Sequence, residues 1–465
     1  MSTPGTPGSN GPFISDDTRA LATYIAGAGA RAAPEEVLEK ARHHLLDTLA
    51  AMVSGSRLRA GVLAGAYVKA LAGRGHCNVA GTRLQTSAVD AALANGMMAH
   101  GDETDDSHLG GRFHPGCGIV PCVLAAAQLQ AASGLAVLRA VALGYDIGTR
   151  FNLSLGPRKL YAGGHSTHSV GPLFGGAAAA ASLMRLNEEQ VRYVLSYTVQ
   201  QASGVQCWSR DEHHVEKAFD FGGMPARNAM AAATMVAAGF TGVPDALAGP
   251  NNFFSAFSND PRPEELVTGL GSRYEILQAT IKKWCVGSPI QGAIDAVLAL
   301  MQSQGLTAAQ IDKLVIELPD DRCQLVNNRN MPNINVQHLV ALTLIDGGLN
   351  FESSHQHERM SDPAVLAVKA KIDLQANAAL TTALPPRQVI MTAHTLDGRV
   401  LRHHAKAVRG TPDDPMTRAE VMEKAEDLTA PILGQTRATE LTRLVMRLDE
   451  LADAGAVLGP LLAAD

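Results

Sequence analysis

Residues 99–121 read AHGDETDDSHLGGRFHPGCGIVP. These 23 positions hold three histidines (His100, His108, His114) and four carboxylates (Asp102, Glu103, Asp105, Asp106). The flanking segments, SAVDAALANGMM at 87–98 and the stretch 118–132, are apolar and alanine-rich, and both read as buried helices. Carboxylates and imidazoles at such a junction must be solvated, paired or used, because burying an unpaired charge costs several kcal/mol. Three readings follow. The stretch is a polar helix–helix loop whose aspartates cap the next helix, or a site where His and carboxylate ligate zinc, iron or manganese, or an acid/base pocket. No HExxH or paired CxxC accompanies it, which weighs against the metal.

Working outward, the chain of 465 residues exceeds the roughly 250–300 at which a single core stops growing, so two domains are expected. Hydrophobic content is 46% but aromatics are only 4%, so Ala, Leu, Val and Met fill the interior, which favours closely packed helices over a sandwich. Net charge is −6, with 39 basic against 45 acidic residues and no Lys/Arg-rich run, so neither nucleic acid nor an anionic membrane has an electrostatic footprint. Six scattered cysteines without a CxxC argue against a disulfide framework and point to a reducing cytoplasm. The N-terminal MSTPGTPGSNGPF has neither a charged nor an apolar leader region, so 1–14 reads as a disordered tail. Apolar runs such as 170–184 are too short or too weakly hydrophobic to span a bilayer, so a soluble protein is expected.

In chain order, 16–30 and 34–53 read as helices. Pro34 opens the second, with Glu35 and Glu36 in its first turn and Val37, Ala41, Leu45 and Leu49 at helical spacing. Alanine-rich helices are expected at 60–72, 87–98, 118–132, 134–151, 170–185, 187–203 and 224–239, and there is no convincing internal repeat. Composition shifts near 271. KLVIEL at 313–318 and QVIMTAHT at 388–395 are strand-like, and Asp397-Gly398 signals a hairpin into 399–404. Helices are expected at 290–304, 334–347 and 362–371. The predicted architecture is mainly α: a helical domain over 15–272 and 411–460, and a smaller α+β domain over 273–410.

Three further polar clusters stand out. GGHSTHS at 163–169 precedes an uncharged helix, where glycines, hydroxyls and a helix N-terminus could seat an anion. Its His165 and His168 could equally be capping or packing groups. SRDEHHVEKAFDFGG at 209–223 carries Lys217 into a Gly-rich helix entry, and IKKWCVGSPIQ at 281–291 places Lys282 and Lys283 at the domain junction, where small-molecule clefts commonly lie. Charged lysines of this kind also belong on solvated faces.

These residues resemble the MmgE/PrpD family over about 15–455. The resemblance is carried by LANGMMAHGDETDDSHLGGRFHPG, GGHSTHSVGPLFGGAAAAA, VEKAFDFGGMPARNAM, IKKWCVGSPIQGAIDA, MPNINVQHLVALTLIDG and VRGTPDDP, six stretches in order. It implies a helical domain made of both chain ends, a smaller α+β lid, a homodimer, and no metal or organic cofactor. The family's HxxDFDDT pattern falls on His100, Glu103, Asp105, Asp106 and Ser107, its following HP on His114-Pro115, its HxT loop on His165 and Thr167, and its two lysines on Lys217 and Lys282. Glu103 stands where aspartate is usual and Ser107 where threonine is, and one residue is inserted before His114. Asp220 and Gln291 stand where histidines are usual, and Trp284 is the aromatic after the second lysine.

The implied function is a lyase acting beside a carboxylate of a small di- or tricarboxylic acid, a dehydratase of the 2-methylcitrate kind or a decarboxylase. An epimerase of a dicarboxylic acid such as iminodisuccinate is the alternative. Such chemistry needs a base for a carbon-bound proton, cations for the carboxylates and an acid for the product. Lys217 and Lys282 are assigned to charge stabilisation, His114 and His165 to acid/base work, and Glu103 to orienting a partner. Ser107, Thr167, His100 and Asp106 are assigned to substrate binding. Two other classes remain. A metal-dependent hydrolase would use His100, Glu103, Asp106 and His114, and a non-catalytic binding protein would follow if the substitutions at 103, 220 and 291 disable chemistry.

Overall fold

The computed structural model describes residues 13–464, so most of the expected N-terminal tail lies outside the described residues. The alanine-rich segments are helices: Asp16–Ala26, Glu35–Gly55, Arg59–Leu71, Ala88–Ala99, Gly116–Gln130, Gly134–Ser154, Thr167–Leu183, Glu188–Gln201 and Met224–Ala237. Ser15, Ser87, Ser133 and Asn187 each cap one of them with a side-chain oxygen on a first-turn amide. Their small residues allow backbone contact. A Cβ placed on Gly148 would lie 2.5 Å from the Gly171 carbonyl oxygen, and one on Gly175 would lie 2.3 Å from that of Gly144. The Gly134–Ser154 and Thr167–Leu183 helices therefore pack against each other at a separation that bulkier residues would prevent.

One apolar core runs from Leu21 to Cys285 and takes in Met416 to Ala464, while a second is confined to Val286–Ala405. The Arg418–Leu433 helix returns to the first core and lies along Glu35–Gly55. There the buried Lys424 ammonium donates to Asp47 Oδ1 at 2.6 Å and to the Thr104 carbonyl at 3.0 Å.

The second core underlies a four-stranded sheet in the order Ile372–Asn377, Ile311–Pro319, Val389–Thr395, Val400–Ala405. The first pair is parallel and the others antiparallel. The hairpin turns at Asp397-Gly398, with Gly398 at φ +83. Helices Gln291–Gln304 and Val336–Asp346 pack against the sheet. Strand Ile372–Asn377 was not expected from sequence. It is a half-exposed edge, IDLQAN, whose apolar–polar alternation is short and carried by residues none of which is fully buried. No helix among the described residues is long and apolar enough to cross a membrane.

Candidate active site

A cavity of about 360 Å³ opens between the helical part and the sheet-bearing part of the chain. Its helical wall presents Glu103, Ser107, Arg112, His114, His168 and Lys217, and its other wall includes Arg322, Arg329 and Arg387.

The 100–115 loop is held from below by two buried aspartates. Asp106 accepts from Tyr145 Oη at 2.5 Å and from the Gly116 amide at 2.9 Å, and it contacts His44 Nδ1 at 2.7 Å, which ties the loop to three helices. Asp105 bridges two imidazoles, His100 Nδ1 at 2.9 Å and His114 Nδ1 at 3.0 Å. A strand pairing of Ser107–His108 with Ala279–Thr280 brings the loop beside the lysine stretch that follows. Lys282 is almost fully buried beneath it, donating to the Glu103 carbonyl at 2.7 Å and lying 3.6 Å from Glu103 Oε2 and 3.8 Å from Asp105 Oδ1. From the cavity side, Lys217 forms an ion pair with Glu103 Oε1.

Lys217 stands on the short helix Val215–Ala218, which runs into a π-helical turn over Phe219–Gly223. Gly222 permits that turn, since a Cβ there would fall 2.0 Å from the Gly96 carbonyl oxygen. The turn lays the Phe221 ring against His168, with centroids 3.8 Å apart, and against His100 at 4.3 Å. It also directs Asp220 onto the Ser166 hydroxyl, which accepts from Trp208 Nε1 at 3.3 Å.

Electrostatics assign the charges. Burial alone would raise the Glu103 carboxyl, but the Lys217 and Lys282 ammoniums hold it well below the usual carboxylate range. Burial likewise works against Asp105, yet the two imidazoles hold it well below normal. Burial, and then Lys282, push His114 down to about 4 against the pull of Asp105, so its imidazole is neutral at pH 7. With Nδ1–H donated to Asp105, the Nε2 lone pair is free to act as a base. Burial, and then His114, hold His168 well below its usual value. Asp220 is raised to about 7 by burial, with the Ser166 hydrogen bond opposing.

Of the expected site residues, Glu103, Ser107, His114 and Lys217 line the cavity, with the Ser107 hydroxyl buried and unpartnered. Lys282 lies just under its floor. The other four are placed elsewhere, which corrects their expected roles. His165 is exposed and pairs its backbone with Val205, because the Thr167–Leu183 helix begins just beyond it and carries His168 into the cavity instead. Thr167 is buried and its hydroxyl donates to the Arg112 carbonyl at 2.6 Å. His100 lies under Phe221, and Asp106 has its oxygens occupied by the scaffold. With Asp106 turned away, the four-ligand set expected for a metal hydrolase does not converge. His100, Glu103 and His214 do approach within 4.8 Å of one another, but Glu103 is already paired with both lysines, a setting that repels a divalent cation.

Gln291 is a brace: it accepts from the Trp284 amide at 3.0 Å and donates to the Trp284 and Val286 carbonyls at 2.7 and 3.0 Å. Sequence reading missed Trp208, His214 and the arginines. The one available signal was the start of the Thr167–Leu183 helix, which makes His168 its second residue.

Comparison with known proteins follows the same outline. The MmgE/PrpD N-terminal domain matches residues 19–266 and the MmgE/PrpD C-terminal domain residues 284–450. A cis-aconitate decarboxylase-like protein of Aspergillus oryzae is 25% identical, over 91% of this chain and 93% of its own length. Cis-aconitate decarboxylases of Aspergillus terreus (23%, over 91% of each chain) and Homo sapiens (22%, over 94% of this chain and 92% of its own) are also similar.

Proposed function

The chain belongs to the MmgE/PrpD family, and from that premise we propose that it is a lyase acting beside a carboxylate of a small di- or tricarboxylic acid, with decarboxylation as its reaction. The observation that carries the reading is the Glu103–Lys217–Lys282 charge centre set beside neutral His114 in a cavity between the two parts of the fold. The decarboxylase names of the similar proteins favour carbon dioxide over water as the leaving group.

In such a step the bond from carbon to the departing carboxylate breaks, and its electron pair moves into an unsaturated system ending in a second carboxylate. Carbon dioxide leaves. The negative charge gathering on the retained carboxylate is met by the Lys217 ammonium, with Lys282 behind it. A proton from Lys217 then quenches the carbanion, and solvent restores it. His114 Nε2, a free base, would open the reaction if the leaving group were hydroxide, by taking the proton beside the carboxylate. The epimerase alternative needs acid/base groups on both sides of one carbon, and its expected pair is not brought together, since His165 lies outside the cavity.

The same reading takes the protein as a cytoplasmic homodimer that needs neither metal nor organic cofactor, which light scattering and dialysis against a chelator test. The central experiment is a turnover screen of aconitate-like, citrate-like and amino- or imino-dicarboxylic acids in deuterium oxide, followed by NMR. Release of carbon dioxide with one deuterium per product supports the reading. Inversion of an otherwise unchanged skeleton contradicts it, as does failure of every polycarboxylate to react.

A further inference from the structure

Four guanidiniums line the cavity: Arg112 on the helical wall and Arg322, Arg329 and Arg387 on the other. Among the described residues, Arg112, Arg329 and Arg387 have no carboxylate at ion-pair distance, and Arg322 has only its exposed chain neighbour Asp321, at 3.3 Å. The acids of the cavity are engaged elsewhere, Glu103 by the lysines and Asp211 by the amides of His213 and Lys217. Arg112 and Arg387 also occupy left-handed backbone, at φ +54 and +67, which long side chains rarely adopt and which tends to collect at ligand clamps. Burial, with Arg322 adding to it, pushes Arg387 down to about 10, and burial followed by Arg322 also lowers Arg112. The arginines therefore press on one another, with the exposed Asp321 the one carboxylate set against them among the described residues. A chain of net charge −6 has gathered unpaired cations in one cavity, where the field draws in polyanions. Leu109, Phe113, Val326, Met331 and Ile334 contribute apolar lining to the same space.

We propose that Arg112, Arg322, Arg329 and Arg387 form a second anion seat that takes a substrate carboxylate remote from the reacting carbon. The substrate is then a polycarboxylate whose anionic groups are joined by an apolar spacer, one end at Lys217 and the other at the guanidinium forks, which match a carboxylate bidentately. This rests on the reading of the site as one for polycarboxylic acids, and it is tested by binding alone, so that it can fail while the turnover reading stands.

The probes are tricarballylate, a saturated tricarboxylate with no double bond to carry decarboxylation, butyrate as a monocarboxylate, and inorganic phosphate. Calorimetry compares the wild type with Arg387→Gln and Arg322→Gln, and with Arg402→Gln, an exposed arginine outside the cavity lining, as the charge control. Tricarballylate should weaken about tenfold or more in each cavity variant and stay unchanged in the control, with butyrate equally weak in all four proteins. Without ligand, Arg387→Gln should melt no lower than the wild type, because it removes a repelling charge and breaks no pair. With tricarballylate it should lose most of the wild type's stabilisation. The proposal is overturned if the wild type does not bind tricarballylate, or if both cavity variants bind it within twofold of the wild type. Phosphate binding more tightly than tricarballylate at the same arginines would also overturn the assignment to carboxylate.

Discussion

The two walls of the cavity carry cations in opposite conditions. On the helical wall Lys217 and Lys282 share Glu103, and Asp105 is held between His100 and His114, so the charges around the reacting centre have their counterions before any ligand arrives, and Arg112 at that wall's edge belongs with the arginines opposite. On the sheet-bearing wall Arg329 and Arg387 have no carboxylate partner among the described residues, and Arg322 has only the exposed Asp321. Groups fixed by their own counterions keep their geometry as charge moves through a transition state, which suits chemistry. Unpaired groups gain most when an anion binds, which suits recognition. On the proposed reading, the difference assigns reaction to the helical wall and selection to the sheet-bearing one.

The largest effect should come from removing the cavity-facing cation of the reacting wall. Lys217→Ala is expected to lower turnover about 10³–10⁴-fold, as for a positioned acid that also stabilises charge, and a loss under tenfold in steady-state rates would break the distinction between walls. His114→Ala should follow, with about a 10²-fold loss on a substrate whose leaving group is hydroxide, where Nε2 takes the proton beside the carboxylate. Because its imidazole titrates at about 4, wild-type activity should show no fall from His114 protonation until the pH nears that value. A fall centred near 6.5 that vanishes in the variant would contradict the neutral, Asp105-held imidazole.

Asp220 gives a smaller effect, read in stability. Its carboxyl is raised from 3.8 to about 7, so the stability it permits is full below 3.8 and is lost as pH rises through about 7. Asp220→Asn keeps an acceptor for Ser166 and should melt higher than the wild type at pH 8, with the advantage shrinking towards pH 4. An advantage that does not vary with pH would show that Asp220 is not the titrating group. The smallest effect is expected at Lys283→Ala, whose ammonium is a third exposed and pairs with Glu420 at 3.4 Å. Such an ion pair contributes little, so activity should stay within twofold, and sensitivity equal to that of Lys282 would misplace the buried cation.

Much of the helical half was legible because helical periodicity and serine or asparagine caps are local signals, as at Ser87 and Asn187. The charged loop at 100–115 was legible as a site because polar groups interrupt apolar helices there. What escaped depends on distant partners. Strand Ile372–Asn377 is fixed by its parallel pairing with Ile311–Pro319, and its short alternation of apolar and polar residues, none of them buried, is a weak signal by itself. His165 and His168 look alike in sequence, and where the helix starts decides which one enters the cavity. Arg322, Arg329 and Arg387 sit in polar segments that read as ordinary surface until the fold turns them towards Lys217. Asp220 and Gln291, read as departures from a pattern, are a buried hydrogen-bond partner of Ser166 and a brace of the 284–286 turn.

The division between a reacting wall and a selecting wall is tested most directly by one variant from each, Lys217→Ala and Arg387→Gln, assayed side by side on the best polycarboxylate found by the turnover screen. The account predicts that Lys217→Ala collapses kcat by about 10³-fold or more while KM changes only a few-fold. Arg387→Gln should raise KM about tenfold or more with kcat nearly intact. The opposite pattern, with kcat lost at Arg387 and only KM moved at Lys217, would contradict it.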